Sequence, residues 1–383
     1  MKILFIAPLD SIHSKRWIEF FSRREDMEVR VLCFGKQVLS VDKAVVHVLG
    51  EESVSGKTLK GLFTSVRRLG PRRRLLRELV GNFQPDVVHI HWIYAPAYWA
   101  ARQFGAPIVS TAWGSDVLVH TRKSFLQRRA VRRTLRVSKR VTCDAVHLKE
   151  RMVAFGGKPD KIDIIYFGTN CEEYSPANRD PGLASELGWG KSNRIVMSLR
   201  ALKPIYDVET LVKAIPLVME KAPQARFVIV GSGEQKDYLQ QLCKDLRIEK
   251  VVHFAGRLSD EDMRRYVASA DVYVSTSTSD AGIAASTAEA MASAVPVVIT
   301  DFGNNADWLD NEKAGRLFPI RDSAALAARI SEILEDEGLR KRMGEASRNI
   351  ILERNSYHRE MERVLELYRN VGDSGPSRGC GER

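Results

Sequence analysis

The sequence predicts an α/β protein of two Rossmann-like domains, each with a parallel sheet covered by helices on both faces. The chain has 383 residues, enough for about two domains with separate cores. Short β-branched runs alternate with longer helical patterns along its whole length. These runs are apolar throughout instead of alternating with polar residues, which is typical of strands buried on both faces.

The strand candidates fall into two sets, separated by a segment rich in Pro, Gly, Ser and Asn. This segment, Cys171 to Asn193, is the expected linker. We expect an N-terminal domain over residues 1–175, a C-terminal domain over 190–355, a helix over 356–372 that packs back on the N-terminal domain, and a disordered tail over 373–383. The strand candidates are residues 3–7, 29–34, 45–49, 87–91, 107–111 and 140–145, then 194–199, 226–231, 251–256, 272–276 and 296–300.

The composition is that of an ordinary globular protein, with 44% hydrophobic and 28% charged residues. The N-terminal apolar run is short and followed at once by Asp10, so it predicts a first strand instead of a signal peptide. No apolar run approaches the roughly 20 residues of a membrane span. The five cysteines show no CxxC spacing, which favours reduced thiols and a cytoplasmic location.

The net charge of +11 is concentrated in residues 57–77 and 121–140, neither of which contains an acidic residue. In the second segment Leu126, Ala130, Thr134 and Val137 would share one face of a helix, opposite the arginines. A basic amphipathic helix suits an anionic membrane surface, so peripheral attachment to the inner membrane face is one hypothesis. A solvated basic face is the alternative. Nucleic acid is disfavoured as a partner because aromatic residues do not interleave with the cations.

The segment from Ser279 to Pro296 is the strongest site candidate. A small-residue loop containing Gly282 follows an apolar strand and leads into an alanine-rich helix that carries Glu289. The free N–H groups at a helix start and its dipole favour phosphate, and a carboxylate further on can accept hydrogen bonds from sugar hydroxyls. An ordinary βα turn is the alternative.

Two cations follow the first strand of the second half. Arg200 and Lys203 would neutralise a diphosphate and stabilise it as a leaving group, although a pair of solvated charges is the competing interpretation. Gly231-Ser232-Gly233 follows the next strand. It lacks the GxGxxG fingerprint, so a plain turn is favoured there.

In the first half, polar residues after strands are candidates for a ligand cleft, since ligands of parallel sheets bind outside the carboxyl ends of strands. Asp10 and His13 lie in the loop after the first strand. Gly114, Ser115 and Asp116 would contact an acceptor hydroxyl or form a structural Asx turn. His89 and His91 share one strand face but lack partners at metal-ligand spacing, which favours structural roles.

Together these pieces resemble the family 4 retaining glycosyltransferases (glycosyl transferases group 1), which have the two-domain GT-B fold. That family reads roughly as a strand ending in Arg with a nearby Lys, then VGxG, FxG and SxxEGFGxxxxEAMAxGxPV. The corresponding parts here are Arg200 with Lys203, VGSG at 230–233, FAG at 254–256 and SDAGIAASTAEAMASAVPVV at 279–298. The chain departs from the pattern where the first of two glutamates becomes Ala281, beside Asp280, and where a cleft histidine becomes Trp113.

The resemblance implies transfer of a sugar, with retention of configuration, from a nucleotide diphosphate sugar to a glycan or lipid-linked acceptor in cell-envelope polysaccharide or glycoconjugate synthesis. It implies no metal and no cofactor besides the donor co-substrate. Arg200 and Lys203 would be catalytic. The donor would contact Gly231, Gly233, Gly256, Asp280, Gly282, Ile283, Ala284, Ala285 and Glu289, and the acceptor or cleft residues would be Asp10, His13, Trp113, Gly114, Ser115 and Asp116.

Two other functions remain compatible with the sequence. A catalytically silent protein that binds sugar nucleotides would tolerate Ala281 and Trp113, whereas transfer depends on the contacts that these positions make in the family. A sugar-nucleotide epimerase of the same fold is the second alternative. Turnover of donor separates both from a transferase.

Overall fold

A computed structural model describes residues 1–34, 39–48, 76, 81, 83–279 and 283–372, apart from the side chains of Ile12 and His13. The chain forms two compact units. Unit 1 comprises Met1–Phe167 and the chain from Glu360 onward, and unit 2 comprises Gly168–Arg359. The tail over 373–383 and the basic segment 57–77, except Leu76, lie outside the described residues.

Unit 1 contains a seven-stranded parallel sheet in the order β3-β2-β1-β4-β5-β6-β7. Its central strand β4 is buried at every position, as expected of a strand covered by helices on both faces. The strands are β1 Lys2–Ile6, β2 Glu28–Cys33, β3 Val45–Val48, β4 Val87–His91, β5 Ile108–Thr111, β6 Arg140–Cys143 and β7 Ile162–Ile164. The described helices are α1 Ile12–Ser22, α2 Ala95–Ala101, α3 His120–Lys123, α4 Phe125–Val137 and α5 Val146–Ala154, and a π-helical turn covers Ser115–Val119.

Unit 2 contains a six-stranded parallel sheet in the order β10-β9-β8-β11-β12-β13. Its core lies between this sheet and the helices, with Phe227, Ile229 and Val274 fully or almost fully buried. The strands are β8 Arg194–Leu199, β9 Ala225–Val230, β10 Val252–Gly256, β11 Val272–Ser275, β12 Val297–Thr300 and β13 Gly315–Phe318. The helices are α6 Leu183–Glu186, α7 Val208–Lys221, α8 Lys236–Asp245, α9 Asp260–Ser269, α10 Ala285–Ala292, α11 Ser323–Glu335 and α12 Glu337–Arg354.

The last described helix, α13 (Tyr357–Gly372), places its apolar face in unit 1 from Glu360 onward. Tyr368 is fully buried and its hydroxyl hydrogen-bonds Nδ1 of His89. The Glu360 carboxylate accepts a hydrogen bond from the Tyr166 N–H at 2.9 Å. The helix therefore completes the core of unit 1 beside the central strands.

The predicted fold class, two Rossmann-like parallel sheets, is confirmed, and each predicted strand lies within one or two residues of an observed one. The strands β7 and β13 were not predicted. Each is only three or four residues long, and each is an edge strand of its sheet with partly exposed positions. Such runs carry too little apolar periodicity to distinguish them from loops.

The segment Cys171–Asn193, expected to be a linker, is part of unit 2. Its short helix α6 buries Leu183, and Arg265 of α9 pairs with Asp180 and Glu186 at 2.9 and 2.5 Å. Turn-rich composition predicts irregular backbone, but it does not reveal these ion pairs with a helix distant in sequence.

Candidate functional site

In the sheet of unit 2, successive strands are added first on one side of β8 and then on the other, starting with β11. From β8 the chain continues to β9 and β10 on one side, and it then crosses to β11, β12 and β13 on the other. The loops after β8 and β11 diverge at this topological switch point, where open parallel sheets bind ligands. Arg200 follows β8, and α10 follows β11 after the loop that includes Ile283.

The Arg200 side chain lies at the start of α10. Its Nη1 donates to Ser286 Oγ at 3.5 Å, and its guanidinium carbon lies 4.4 Å from the centre of the Tyr206 ring. Tyr273, buried in β11, donates its hydroxyl to the same Ser286 oxygen at 2.7 Å. Stacking and hydrogen bonding therefore hold a cation beside the helix N-terminus.

The first turn of α10 is suited to an anion. Ala284 precedes the helix without a side-chain cap, and the first turn contains no acidic residue. The N–H groups of such a turn have no intrahelical acceptors and carry the positive end of the helix dipole. Ile283 just before it is buried, so the backbone near this turn is held in place.

Glu289 lies on the same face of α10 as the first turn of the helix. In α10 only Ala285, Ser286 and Glu289 are not buried. Because residues three and four apart share a helix face, these side chains form one strip that begins at the N-terminus. Glu289, which is predicted to bind the ribose, and the predicted phosphate-binding turn therefore lie on the same side of α10.

Glycines bring the neighbouring loops close to Arg200. A Cβ on Gly231, whose φ is +137°, would lie 2.1 Å from the Arg200 carbonyl oxygen, and a Cβ on Gly233 would lie 2.2 Å from that of Leu202. The Gly231 N–H in turn donates to the Gly256 carbonyl at 2.8 Å. The Gly231–Gly233 turn thus has a packing role, in line with the plain-turn interpretation, and it positions the backbone that carries Arg200.

The second predicted cation, Lys203, is exposed at the start of the 3₁₀ turn Pro204–Tyr206. Hydroxyls of the loop after β11 anchor this turn: Thr276 Oγ1 donates to the Tyr206 carbonyl at 2.8 Å and Thr278 Oγ1 to the Ile205 carbonyl at 3.0 Å. Hydrogen bonds therefore join the loop before α10 directly to the backbone that follows Lys203. Asp280, Ala281 and Gly282 lie outside the described residues.

Unit 1 has its own switch point between β1 and β4. Asp10 is exposed after β1, and the side chain of His13 lies outside the described residues. After β4, Trp92 has φ of +90°, a rare and strained conformation for a large side chain, and such strained residues cluster at functional sites. Sequence reasoning missed Trp92 because nothing in residue type signals a positive φ.

Asp116 has a structural role in this region. Its carboxylate is buried and accepts the N–H groups of Ile93, Trp113 and Val117 at 2.9–3.1 Å. Burial raises the pKa of this carboxyl to about 6, against the lowering effect of the three donors. This geometry favours the structural-turn alternative, because the oxygens expected to contact an acceptor are committed to backbone amides.

The other predicted residues of this loop surround Asp116. Gly114 has φ of +97° and its carbonyl accepts the N–H groups of Val117 and Leu118, and Ser115 opens the π-helical turn. Trp113 is partly exposed, and the centre of its ring lies 5.0 Å from the centre of the His91 ring. These residues are brought together with β4, at the carboxyl end of the sheet.

The strand histidines have the structural character expected of them. His89 is fully buried, and its Nε2 lies 2.7 Å from Thr111 Oγ1. Burial lowers its pKa to about 3. His91 Nδ1 lies 3.1 Å from Ser14 Oγ.

Sequence reasoning also missed Asp144, which follows β6. Its Oδ1 is covered and makes no hydrogen bond with any described residue. Burial raises the pKa of this carboxyl to about 6, while His147 lowers it. No pattern in the sequence distinguishes this aspartate from other residues that follow strands.

The described part of the chain contains neither a metal-ligand cluster nor a membrane-spanning helix. No three His, Cys, Asp or Glu side chains among the described residues converge as a metal ion would require. None of the helices in those ranges combines the length and the apolar character needed to cross a bilayer.

Known families match both halves of the chain. Residues 183–350 match the family described as Glycosyl transferases group 1, and residues 2–145 match Glycosyl transferase 4-like. Together the matches cover well over half of the sequence. The chain belongs to the family 4, group 1 glycosyltransferases.

Curated relatives of this family 4 chain have different names. It is 29% identical over 308 residues to the phosphatidyl-myo-inositol mannosyltransferase of Mycobacterium leprae, covering 79% of this chain and 78% of the relative. It is 28% identical over 285 residues to the glycogen synthase of Mycobacterium tuberculosis, covering 70% and 64%. An uncharacterized glycosyltransferase of Methanocaldococcus jannaschii is 26% identical over 227 residues, covering 58% and 57%. The chain spans less than two thirds of the length of the last two.

Solved structures share the fold of this family 4 chain. Sucrose-phosphate synthase from Thermosynechococcus elongatus superposes with a TM-score of 0.80 at 16% identity, covering 98% of this chain and all of that one. The Anabaena protein Alr3699/HepE, solved in complex with UDP, superposes with a TM-score of 0.78 at 20% identity. The superposition covers 97% of this chain and all of the Anabaena chain. At these identities the likeness shows the GT-B fold alone.

Proposed function

We propose that this protein transfers a sugar from a nucleotide diphosphate sugar to a glycan or lipid-linked acceptor, with retention of configuration, in cell-envelope polysaccharide or glycoconjugate synthesis in the cytoplasm. One observation carries the proposal: the Arg200 guanidinium lies against Ser286 at the uncapped start of α10, at the switch point of the sheet. A cation and a helix N-terminus at one place provide the charge that a diphosphate needs.

Each step of the reaction has a candidate group. Arg200 and Lys203, with the first turn of α10, would stabilise the departing diphosphate. Glu289 would bind the ribose hydroxyls from the same helix strip. A β-phosphate oxygen would take the acceptor proton, so that no protein base is needed, and we propose that no metal ion is required because the cations and the helix dipole meet the diphosphate charge.

The comparisons support a nucleotide-sugar donor. The Anabaena protein was solved in complex with UDP-glucose as well as with UDP. The mannosyltransferase name of the Mycobacterium leprae relative is consistent with a lipid-linked acceptor.

The first test is a screen of UDP-, GDP- and ADP-sugars by thermal shift and by donor turnover. At least one donor should stabilise the protein and be consumed, and product NMR should show the donor's anomeric configuration retained. Stabilisation by none of these donors would remove the central proposal. An inverted anomer would remove only the retaining mechanism.

The second test replaces Arg200 by Ala, which should lower kcat/KM by about 100-fold or more, because a group that stabilises leaving-group charge is removed. Arg226→Ala is the matched control. Arg226 belongs to the same sheet, but it lies near the amino end of β9 and donates to nearby carbonyls. Equal turnover by the two variants would contradict the role of Arg200.

A binding protein without transferase activity is the second candidate. Trp113 occupies the position of the family's cleft histidine and packs against His91, which favours loss of a function that the histidine has in the family. This candidate predicts stabilisation by a donor without turnover under any acceptor condition.

A further inference from the structure

One face of α4 combines arginines with exposed apolar side chains. Phe125, Arg129, Arg133 and Arg136 follow one another at intervals of three or four residues, so they form one stripe about 16 Å long on the helix. All four are exposed, and Phe125 is 67% exposed. We call this face, together with Leu126, Arg128 and Arg132, the α4 basic face.

The opposite face of α4 holds the helix against the rest of unit 1. Ala130, Val131, Thr134 and Leu135 are buried, and the helix contacts α2 and β5. The Ser124 hydroxyl caps its start by accepting the Gln127 N–H at 3.3 Å. The α4 basic face is therefore presented on a packed helix. Of the four positions predicted to share a face opposite the arginines, Ala130 and Thr134 are buried, whereas Leu126 is exposed because it lies at the edge of the buried arc near the helix start.

Few protein contacts compensate the charge of the α4 basic face. Arg128 Nε donates to the Thr121 carbonyl at 2.6 Å, and Arg132 lies 5.9 Å from the ring centre of Phe155. Among the described residues, no carboxylate forms an ion pair with Arg129, Arg133 or Arg136. The neighbouring Arg122 and Lys123 of α3 are also exposed, so the positive field extends beyond the helix.

Exposed apolar side chains lie at the same end. Val119 just before α3 is 43% exposed and Leu126 is 39% exposed. Exposed apolar side chains next to clustered arginines are the composition of interfacial helices, whose cations attract anionic headgroups while the apolar groups enter the headgroup–acyl boundary. A phosphate backbone would use the cations but gains nothing from Val119 and Leu126.

We propose that the α4 basic face binds the surface of an anionic phospholipid membrane, with Phe125 and Leu126 entering the interface and the arginines contacting headgroup phosphates. The inference is independent of the donor site, because it concerns a surface of unit 1 and needs no turnover. It would place the protein beside acceptors that are embedded in a leaflet.

The test measures partitioning of the full-length protein onto phosphatidylcholine vesicles with and without phosphatidylglycerol, by flotation at low and at physiological salt. Binding should require phosphatidylglycerol and weaken with salt. Each cation near an anionic surface strengthens binding by about fivefold, so R129E together with R133E should lower the partition coefficient by at least about 20-fold. The matched control is R102E with K158E, which changes the net charge equally at exposed positions of unit 1 outside this face.

A separate variant, Phe125→Ser, isolates the apolar contribution. It should lower partitioning by about tenfold and leave the salt dependence as in the wild type. Circular dichroism should show every variant folded, since all the substituted side chains are exposed. Residues 57–77 are unchanged in every variant, so the differences belong to the substituted positions.

The proposal fails if wild-type protein does not bind anionic vesicles at low salt. It also fails if the control pair loses as much binding as the test pair, because net charge alone would then explain adsorption. Phe125→Ser binding equal to that of the wild type would overturn the insertion of the apolar group. Duplex DNA that displaces the protein from vesicles and binds Phe125→Ser as tightly as wild type would identify a nucleic-acid surface instead.

Discussion

Replacing Ala294 by Gly should stabilise unit 2, although glycine usually weakens folded proteins. The helix α10 ends in a Schellman turn: the Val295 N–H donates to the Ala290 carbonyl and the Ala294 N–H to that of Met291, each at 3.0 Å. Ala294 occupies the left-handed position of this turn, with φ of +58°. Glycine is the usual residue there, and the family pattern also has glycine at this position.

The expected gain follows from two opposing free energies. The left-handed conformation costs a residue with a Cβ about 1–2 kcal/mol. Glycine removes that cost but adds about 0.4–1 kcal/mol of conformational entropy to the unfolded chain. The net increase in the free energy of unfolding is about 0.5–1 kcal/mol, or about 1–4 °C in Tm for a unit of this size.

Urea unfolding followed by tryptophan fluorescence measures this effect, and the midpoint should rise without a change in the slope m. The matched control is Ala328→Gly, at an exposed interior position of α11, which should cost about 1 kcal/mol. If Ala294→Gly destabilises the protein as much as Ala328→Gly, the assigned left-handed turn is wrong. Gly344→Ala tests the same turn from α12: its Cβ would lie 2.2 Å from the Ala294 carbonyl oxygen, and the overpacking should cost about 1–3 kcal/mol.

Three further predictions concern the two units. Gly231→Ala should weaken nucleotide binding, measured by calorimetry, by about tenfold or more. The added Cβ would lie 2.1 Å from the Arg200 carbonyl oxygen, and the resulting shift of the Arg200 loop costs about 1–3 kcal/mol. Unchanged affinity would contradict the contact between the Gly231 loop and the Arg200 loop. Tyr273→Phe should lower the free energy of unfolding by about 1 kcal/mol because the hydrogen bond to Ser286 is lost, and an unaltered urea midpoint would count against that bond. Burial lowers the pKa of His89 from 6.5 to about 3, so the unfolded chain is protonated first and the contribution of His89, complete above pH 6.5, decreases toward pH 3 by about 1.4 kcal/mol per pH unit. His89→Gln should remove this component from urea midpoints measured between pH 7 and pH 4.5, and a pH dependence equal to that of the wild type would refute it.

Much of the fold could be predicted from the sequence because buried parallel strands are encoded locally. A run such as Val87–His91 is largely apolar and β-branched and lies between helical patterns, which is typical of a strand covered on both faces of a parallel sheet. The short edge strands and the ion pairs that join Asp180 and Glu186 to Arg265 could not be predicted. They depend on neighbours that are distant in sequence.

The candidate site also contains residues that could be predicted from the sequence and residues whose role could not. Arg200 and the start of α10 were predicted, because a cation after a strand and a small-residue turn before a helix are visible as residue types. Asp116 shows the opposite case: its residue type suits an acceptor contact, but the structure commits its carboxylate to backbone amides.

The segments that enter a parallel sheet and the side chains that can meet an anion were predictable from residue types, because strand burial and side-chain charge are local properties. Which of these groups lie together depends on the three-dimensional arrangement of the strands. Arg200 and Ser286 are 86 positions apart, and they meet because the strand order places β11 beside β8. The same holds for Ala294, whose left-handed conformation comes from the Schellman turn that ends α10 and carries the chain into β12.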